Sequence, residues 1–72
     1  MKDYGMFTDA GNAVINDIVE MANKRFLNWA TVMNLLIAVS KEEVYSEATD
    51  TAVREAVWDA VSSVDSWHRV TV

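Results

Sequence analysis

Acidic side chains in the second half of the chain form the arrangement most capable of chemistry. They are Glu42, Glu43, Glu47, Glu55 and Asp59. Carboxylates four residues apart share one face of a helix, and four of them on two facing helices can hold Mg²⁺ or Mn²⁺ through oxygen ligands. A metal-dependent all-α phosphohydrolase, with Glu43, Glu47, Glu55 and Asp59 as ligands, is therefore one function that the sequence leaves open.

The layout of these acids faintly resembles that of all-α nucleoside triphosphate pyrophosphohydrolases. Those enzymes have Glu-Glu-x-x-Glu followed by Glu-x-x-Asp, whereas this chain has Glu42-Glu43-x-x-x-Glu47 and Glu55-x-x-x-Asp59. Because the spacing differs, the chain is not assigned to that family. Runs of charge are usually solvated faces, so the sequence favours a protein that is not an enzyme and holds no metal or cofactor.

Other residue types give no catalytic or nucleotide-binding pattern. His68 is the only histidine, and no cysteine is available to share a metal with it. It suits the end of a helix, where a cation complements the exposed carbonyls. Gly5 and Gly11 are isolated, so no phosphate-cradling loop is predicted. The six bases are scattered, which argues against a DNA-recognition helix.

The charge of the chain favours a protein as partner. The net charge is −5, and seven acids stand against Arg54 alone between Glu42 and Asp65. Such an excess opposes binding to phosphate backbones. Glu55 and Asp59, with Glu43, Glu47 and Asp50 nearby, are predicted to form an acidic face that imitates phosphates and blocks a basic nucleic-acid-binding protein. Small acidic inhibitors of phages and mobile elements are similar in size and charge, which is an analogy of class only.

Trp58 is the second candidate for partner binding. It lies off the apolar stripe of its helix, close to Arg54 and Arg69, and an exposed Trp beside arginines is typical of an interface anchor. The alternative is that the N-terminal arm, with Tyr4 and Phe7, covers it. A structural subunit or assembly adaptor that uses Trp58 and the apolar surfaces is the alternative within the binding class.

Three helices must position these residues. Helix 1 is predicted over 9–25, after an N-cap at Thr8 or Asp9. A turn is predicted at 26–28, with Asn28 as the next N-cap; one long kinked helix is the alternative. The central helix then has an apolar arc about half its circumference wide, with Trp29 at its centre. So broad an arc predicts burial against two neighbours, or against one neighbour and a second copy.

The central helix is predicted to stop at Ser40. Continued at the same pitch, it would bring Ser40 and Glu43 onto its apolar face, and Ser40-Lys-Glu-Glu43 has the form of a capping box. A short extra helical turn should begin there and run into a hinge at 46–50. Thr49 or Asp50 should cap the last helix, whose buried stripe is expected to include Val53, Val57, Ala60 or Val61, Val64 and Trp67.

The fold predicted from these elements is an all-α, small three-helix bundle in one domain over 1–72. Residues 1–7 are expected to be a flexible arm that can fold back on the core, and 70–72 a frayed tail. With 51% hydrophobic residues and no cysteine, so short a chain is expected to complete its core by forming a homo-oligomer. No secretory signal or membrane-spanning run is visible, which predicts a cytoplasmic protein.

Overall fold

The computed structural model describes residues 2–65, which form three helices: α1 (Asp9–Arg25), α2 (Trp29–Glu42) and α3 (Asp50–Ser62). Each helix packs against the other two. The predicted all-α three-helix bundle is therefore confirmed. The predictions for Trp67, His68 and the tail at 70–72 lie outside the described residues. Within the described part of the chain, no helix has the length and apolar character needed to cross a membrane.

The three helices begin where the cap residues predict. The side-chain oxygens of Thr8, Asn28 and Thr49 each accept a hydrogen bond from the backbone N–H three residues later. Each such cap satisfies a donor that the first helical turn leaves free and contributes about 1 kcal/mol. The turn between α1 and α2 is made by Phe26, which takes the left-handed conformation with φ of 53°. The predicted bounds of helix 1 and the predicted caps are confirmed.

The predicted break at Ser40 is wrong. Ser40 lies within α2, where its hydroxyl donates to the carbonyl oxygen of Ile37 at 2.7 Å, and the expected extra turn is simply the end of α2. The helix ends at Glu42, and the N–H of Glu43 still bonds to the oxygen of Val39 at 2.9 Å. Ser40 needs no break because it is only half-buried and its hydroxyl is already satisfied.

The core lies between the inner faces of the three helices. Ile15, Val32 and Leu36 are completely inaccessible to solvent. The stripe predicted for α3 is confirmed over the described residues, since Ala56, Val57, Ala60, Val61 and Val64 are all buried, with Val53 partly buried beside them.

The broad apolar arc of α2 is covered less than predicted. Val32 and Leu36 are its buried members, and Met33 and Val39 are partly buried against them. Trp29, expected at the centre of the core, is 49% exposed, and Leu35 and Ile37 are exposed too. Trp29 is the first residue of α2 and therefore lies at the end of the bundle. The arc thus leaves apolar surface uncovered in a single copy of the chain.

The N-terminal segment of the described chain contributes to the core. Tyr4 and Phe7 are 3% and 1% exposed, so the predicted folding back of the arm occurs. Phe7 pairs with Val44 in an antiparallel β-bridge, and the N–H of Thr8 donates to the oxygen of Glu43 at 3.0 Å. The arm therefore lies along the loop that follows α2.

Two asparagines of α1 hold the arm in place. Asparagine is mostly found at protein surfaces, but Asn12 is buried. Its amide oxygen accepts from the N–H of Tyr4 at 2.9 Å, and the amide of Asn16 donates to the oxygen of Lys2 at 2.9 Å. An amide side chain can both donate and accept, which suits it to pair with a strand-like segment.

Candidate functional site

A groove of about 530 Å³ lies between α2 and α3. Met33 and Ile37 of α2 face Val53 and Val57 of α3 across it, and Val44 of the connecting loop lies at one end. The exposed side chains of Lys41, Asp50, Arg54 and Trp58 also line it. We call this concavity the α2–α3 groove; it has an apolar floor and a charged and aromatic rim.

Two tryptophans meet at one end of the α2–α3 groove. The ring centroids of Trp29 and Trp58 are 6.4 Å apart and their planes are inclined at 44°, a separation typical of favourable aromatic pairs. Trp58 is 51% exposed. It is not covered by the arm, since Tyr4 and Phe7 are buried in the core instead. The exposed position predicted for Trp58 is therefore found, and the covering arm is wrong.

The tryptophan pair was missed in the sequence, although a signal for it existed. Consecutive helices joined by a short loop run antiparallel, which brings the start of α2 near the end of α3. Trp29 is the first residue of α2 and Trp58 lies near the end of α3. Their positions in the chain thus place the two residues near the same end of the bundle.

Two cations on the rim of the α2–α3 groove have no ion pair within residues 2–65. They are Lys41 at the end of α2 and Arg54 in the second turn of α3. By contrast, Lys2 pairs with Asp59 and Lys24 pairs with Glu20, both at 2.9 Å. The rim of the groove therefore carries two cations and one carboxylate, Asp50, and Arg54 lies one helical turn before Trp58.

Two of the acids predicted for partner binding already have partners in the chain. The half-buried Glu43 accepts a hydrogen bond from the hydroxyl of Thr8 at 2.8 Å. Asp59 accepts one from the ammonium group of Lys2 at 2.9 Å, and this bond raises the pKa of Lys2 above its usual value. Both acids help to fix the arm.

The remaining predicted acids lie on different parts of the surface. Glu47 is in the loop between α2 and α3, beside the hydroxyl of Ser46 at 3.3 Å. Asp50 is on the rim of the α2–α3 groove. Glu55 lies on the arm side of α3, in a shallow depression shared with Tyr4. Of the predicted acidic residues, only Asp50 lines the groove together with Trp58.

The predicted metal ligands are not brought together. Among residues 2–65, no cluster of three or more acidic or histidine side chains could hold a metal ion. All four predicted ligands, namely Glu43, Glu47, Glu55 and Asp59, belong to this described part. Glu43 bonds instead to Thr8, and Asp59 bonds to Lys2.

No protein-family model matches this chain, and no curated protein or solved structure is significantly similar to it. A function therefore has to be inferred from the α2–α3 groove, the tryptophan pair and the charges around them.

Proposed function

We propose that this chain is a protein-binding module that acts by occupying a partner's surface through the α2–α3 groove. The observation that carries the proposal is the exposed Trp29–Trp58 pair at one end of that groove. Tryptophan is among the residues most enriched in the energetic centres of protein interfaces. Apolar surface gathered around a concavity is typical of an interaction site.

The exposed surface of the two tryptophans is large enough to supply a substantial binding energy. A tryptophan buries about 150–250 Å² when it is fully covered, so two half-exposed rings still offer roughly 200 Å². At about 25 cal/mol per Å², covering both would contribute about 5 kcal/mol before the costs of association. Ile37, also exposed at the groove, would add to this.

The acidic inhibitor predicted from the charge has weaker support. Blocking a basic nucleic-acid-binding protein would depend mainly on Glu47, Asp50 and Glu55, because Glu43 and Asp59 already accept hydrogen bonds within the chain. The assembly adaptor would use the same groove as the proposed module. A second copy of the chain is a further possible occupant, and the homo-oligomer stays a prediction.

The proposal is tested by affinity capture with a matched pair of variants. Trp58→Ala removes about half of the exposed surface of the tryptophan pair, whereas Tyr45→Ala removes a similarly exposed aromatic ring of the loop that does not line the groove. We expect Trp58→Ala to lower retention of the partner at least tenfold, which corresponds to about 1.4 kcal/mol. Retention by Tyr45→Ala should equal that of the wild type.

Thermal unfolding of the same variants separates binding from folding. Loss of the ring contact with Trp29 should cost no more than about 1.5 kcal/mol of stability. Unchanged capture by Trp58→Ala would refute the proposal. A loss of stability of several kcal/mol would assign Trp58 to the fold rather than to the interface.

A further inference from the structure

We infer that the occupant of the α2–α3 groove is an amphipathic helix of a partner protein with carboxylates beside its apolar stripe. The inference rests on the proposed function, because it names the class of partner for the same surface.

The shape of the groove suits a helix. Met33 and Ile37 on one wall, and Val53 and Val57 on the other, are pairs four residues apart, so each pair forms a short ridge along its helix. Between such ridges, the apolar side chains of a third helix can insert at i, i+3 or i+4, and i+7. From Met33 to Lys41 the wall of α2 is about 12 Å long at 1.5 Å per residue, and Trp29, one turn before Met33, extends the apolar surface to about 18 Å. That length accommodates about three turns of a partner helix.

The charge of the groove selects carboxylates on that helix. Lys41 and Arg54 are exposed and have no ion pair among residues 2–65, while the one acid beside them, Asp50, occupies the first turn of α3. The N-terminus of a helix stabilises an acid in that position, so Asp50 does not need either cation as a partner. The two cations are thus available for carboxylates that arrive with the partner.

The partner charge that the groove favours is opposite to the one that the whole chain favours. The net charge of −5 would favour a basic partner at long range. At physiological ionic strength the screening length is about 8 Å, so cations in contact with the partner outweigh acids on distant surfaces. The tryptophan pair lies at one end of the groove and Lys41 at the other, with Arg54 between them, one turn before Trp58. The bound helix should therefore place bulky apolar residues near Trp29 and Trp58, and acids near Lys41 and Arg54.

A displayed peptide library tests this inference directly. The library consists of 14-residue helices with a fixed leucine stripe, in which each flanking position is Glu, Lys or Gln with equal frequency. Selection on the wild-type protein at 0.15 M salt should enrich Glu in the flanks over Lys by at least tenfold. Ile37→Ser, which alters the floor of the groove at an exposed residue, should abolish the enrichment.

Charge-reversed variants supply the matched control. Lys41→Glu with Arg54→Glu should reverse the preference, so that Lys is enriched in the flanks. Lys24→Glu with Arg25→Glu changes the net charge by the same amount, but at the end of α1 away from the groove. That control should still select Glu. Circular dichroism of each variant verifies that the helices are formed.

Three results would overturn the inference. They are selection of Lys by the wild type, a preference that Lys41→Glu with Arg54→Glu leaves unchanged, and the absence of any enrichment. If Trp58-dependent partner capture persists in these cases, the proposed function stands and only the occupant is wrong. If sedimentation shows a dimer that Ile37→Ser dissociates, the groove belongs to a second copy and the inference fails.

Discussion

Gly11 shows how a single residue decides the docking of the arm. It lies in the first turn of α1, where α1 passes the end of α2. A Cβ atom at this position would lie 2.8 Å from both the Cβ and the carbonyl oxygen of Glu43, and 3.3 Å from the Cβ of Phe7. Such distances are shorter than van der Waals contact. The sequence marked Gly11 only as isolated, because nothing local indicates which segment will approach it.

Replacing Gly11 by alanine should therefore destabilise the protein. Alanine favours a helix by up to about 1 kcal/mol over glycine, but the clash involves the backbone of Glu43, which cannot move without breaking its bond to Thr8. Overpacking of this kind costs about 1–3 kcal/mol. We expect a net loss of stability in urea unfolding. Asp17→Ala, at an exposed position of the same helix, should be neutral or slightly stabilising, and a stabilised Gly11→Ala would contradict the close approach.

The hydrogen-bond partners of Glu43 and Asp59 could not be predicted from the sequence. Spacing placed Glu43 and Asp59 on helical faces, but their partners, Thr8 and Lys2, are 35 and 57 residues away in the chain. Local periodicity carries no information on such pairings. The predicted acidic face stays a prediction, whereas Trp58 is exposed, which is one of the two alternatives that the sequence left open.

At the scale of the elements, helix starts were predictable and the end of α2 was not. Thr8, Asn28 and Thr49 act through hydrogen bonds that span three residues, so their effect can be seen in a short stretch of sequence. The end of α2 depends instead on where the arm crosses it, at Glu43. Periodicity also predicted which side of α2 is apolar, but not that its neighbours would cover only part of that side.

Ser40→Ala distinguishes the observed α2 from the predicted capping box. If Ser40 capped a new turn, its loss would cost about 1 kcal/mol. Because Ser40 lies inside α2 and bonds only to the carbonyl of Ile37, we expect a neutral or slightly stabilising effect, since alanine is the better helix former. Chemical unfolding measures the difference. Thr49→Ala, which removes a cap that the structure shows, serves as the positive control and should lose about 1 kcal/mol.

At the scale of the whole molecule, the arrangement of the acids predicts the response to metal ions. A ligand that binds the native state must raise the midpoint of thermal unfolding. Since the predicted ligands are not brought together, we expect no shift of the midpoint with millimolar Mg²⁺ or Mn²⁺ beyond that caused by an equal ionic strength of NaCl. A specific rise with either metal would favour the phosphohydrolase instead.

The core of the bundle joins parts of the chain that are synthesised at different times. The arm is translated before its partners at 43–45. At about 5–20 residues per second, roughly 2–7 s pass between the synthesis of Tyr4 and Phe7 and that of Val44, which pairs with the arm. The two aromatic rings therefore lack their core partners for at least this time, and the rate of elongation sets its minimum.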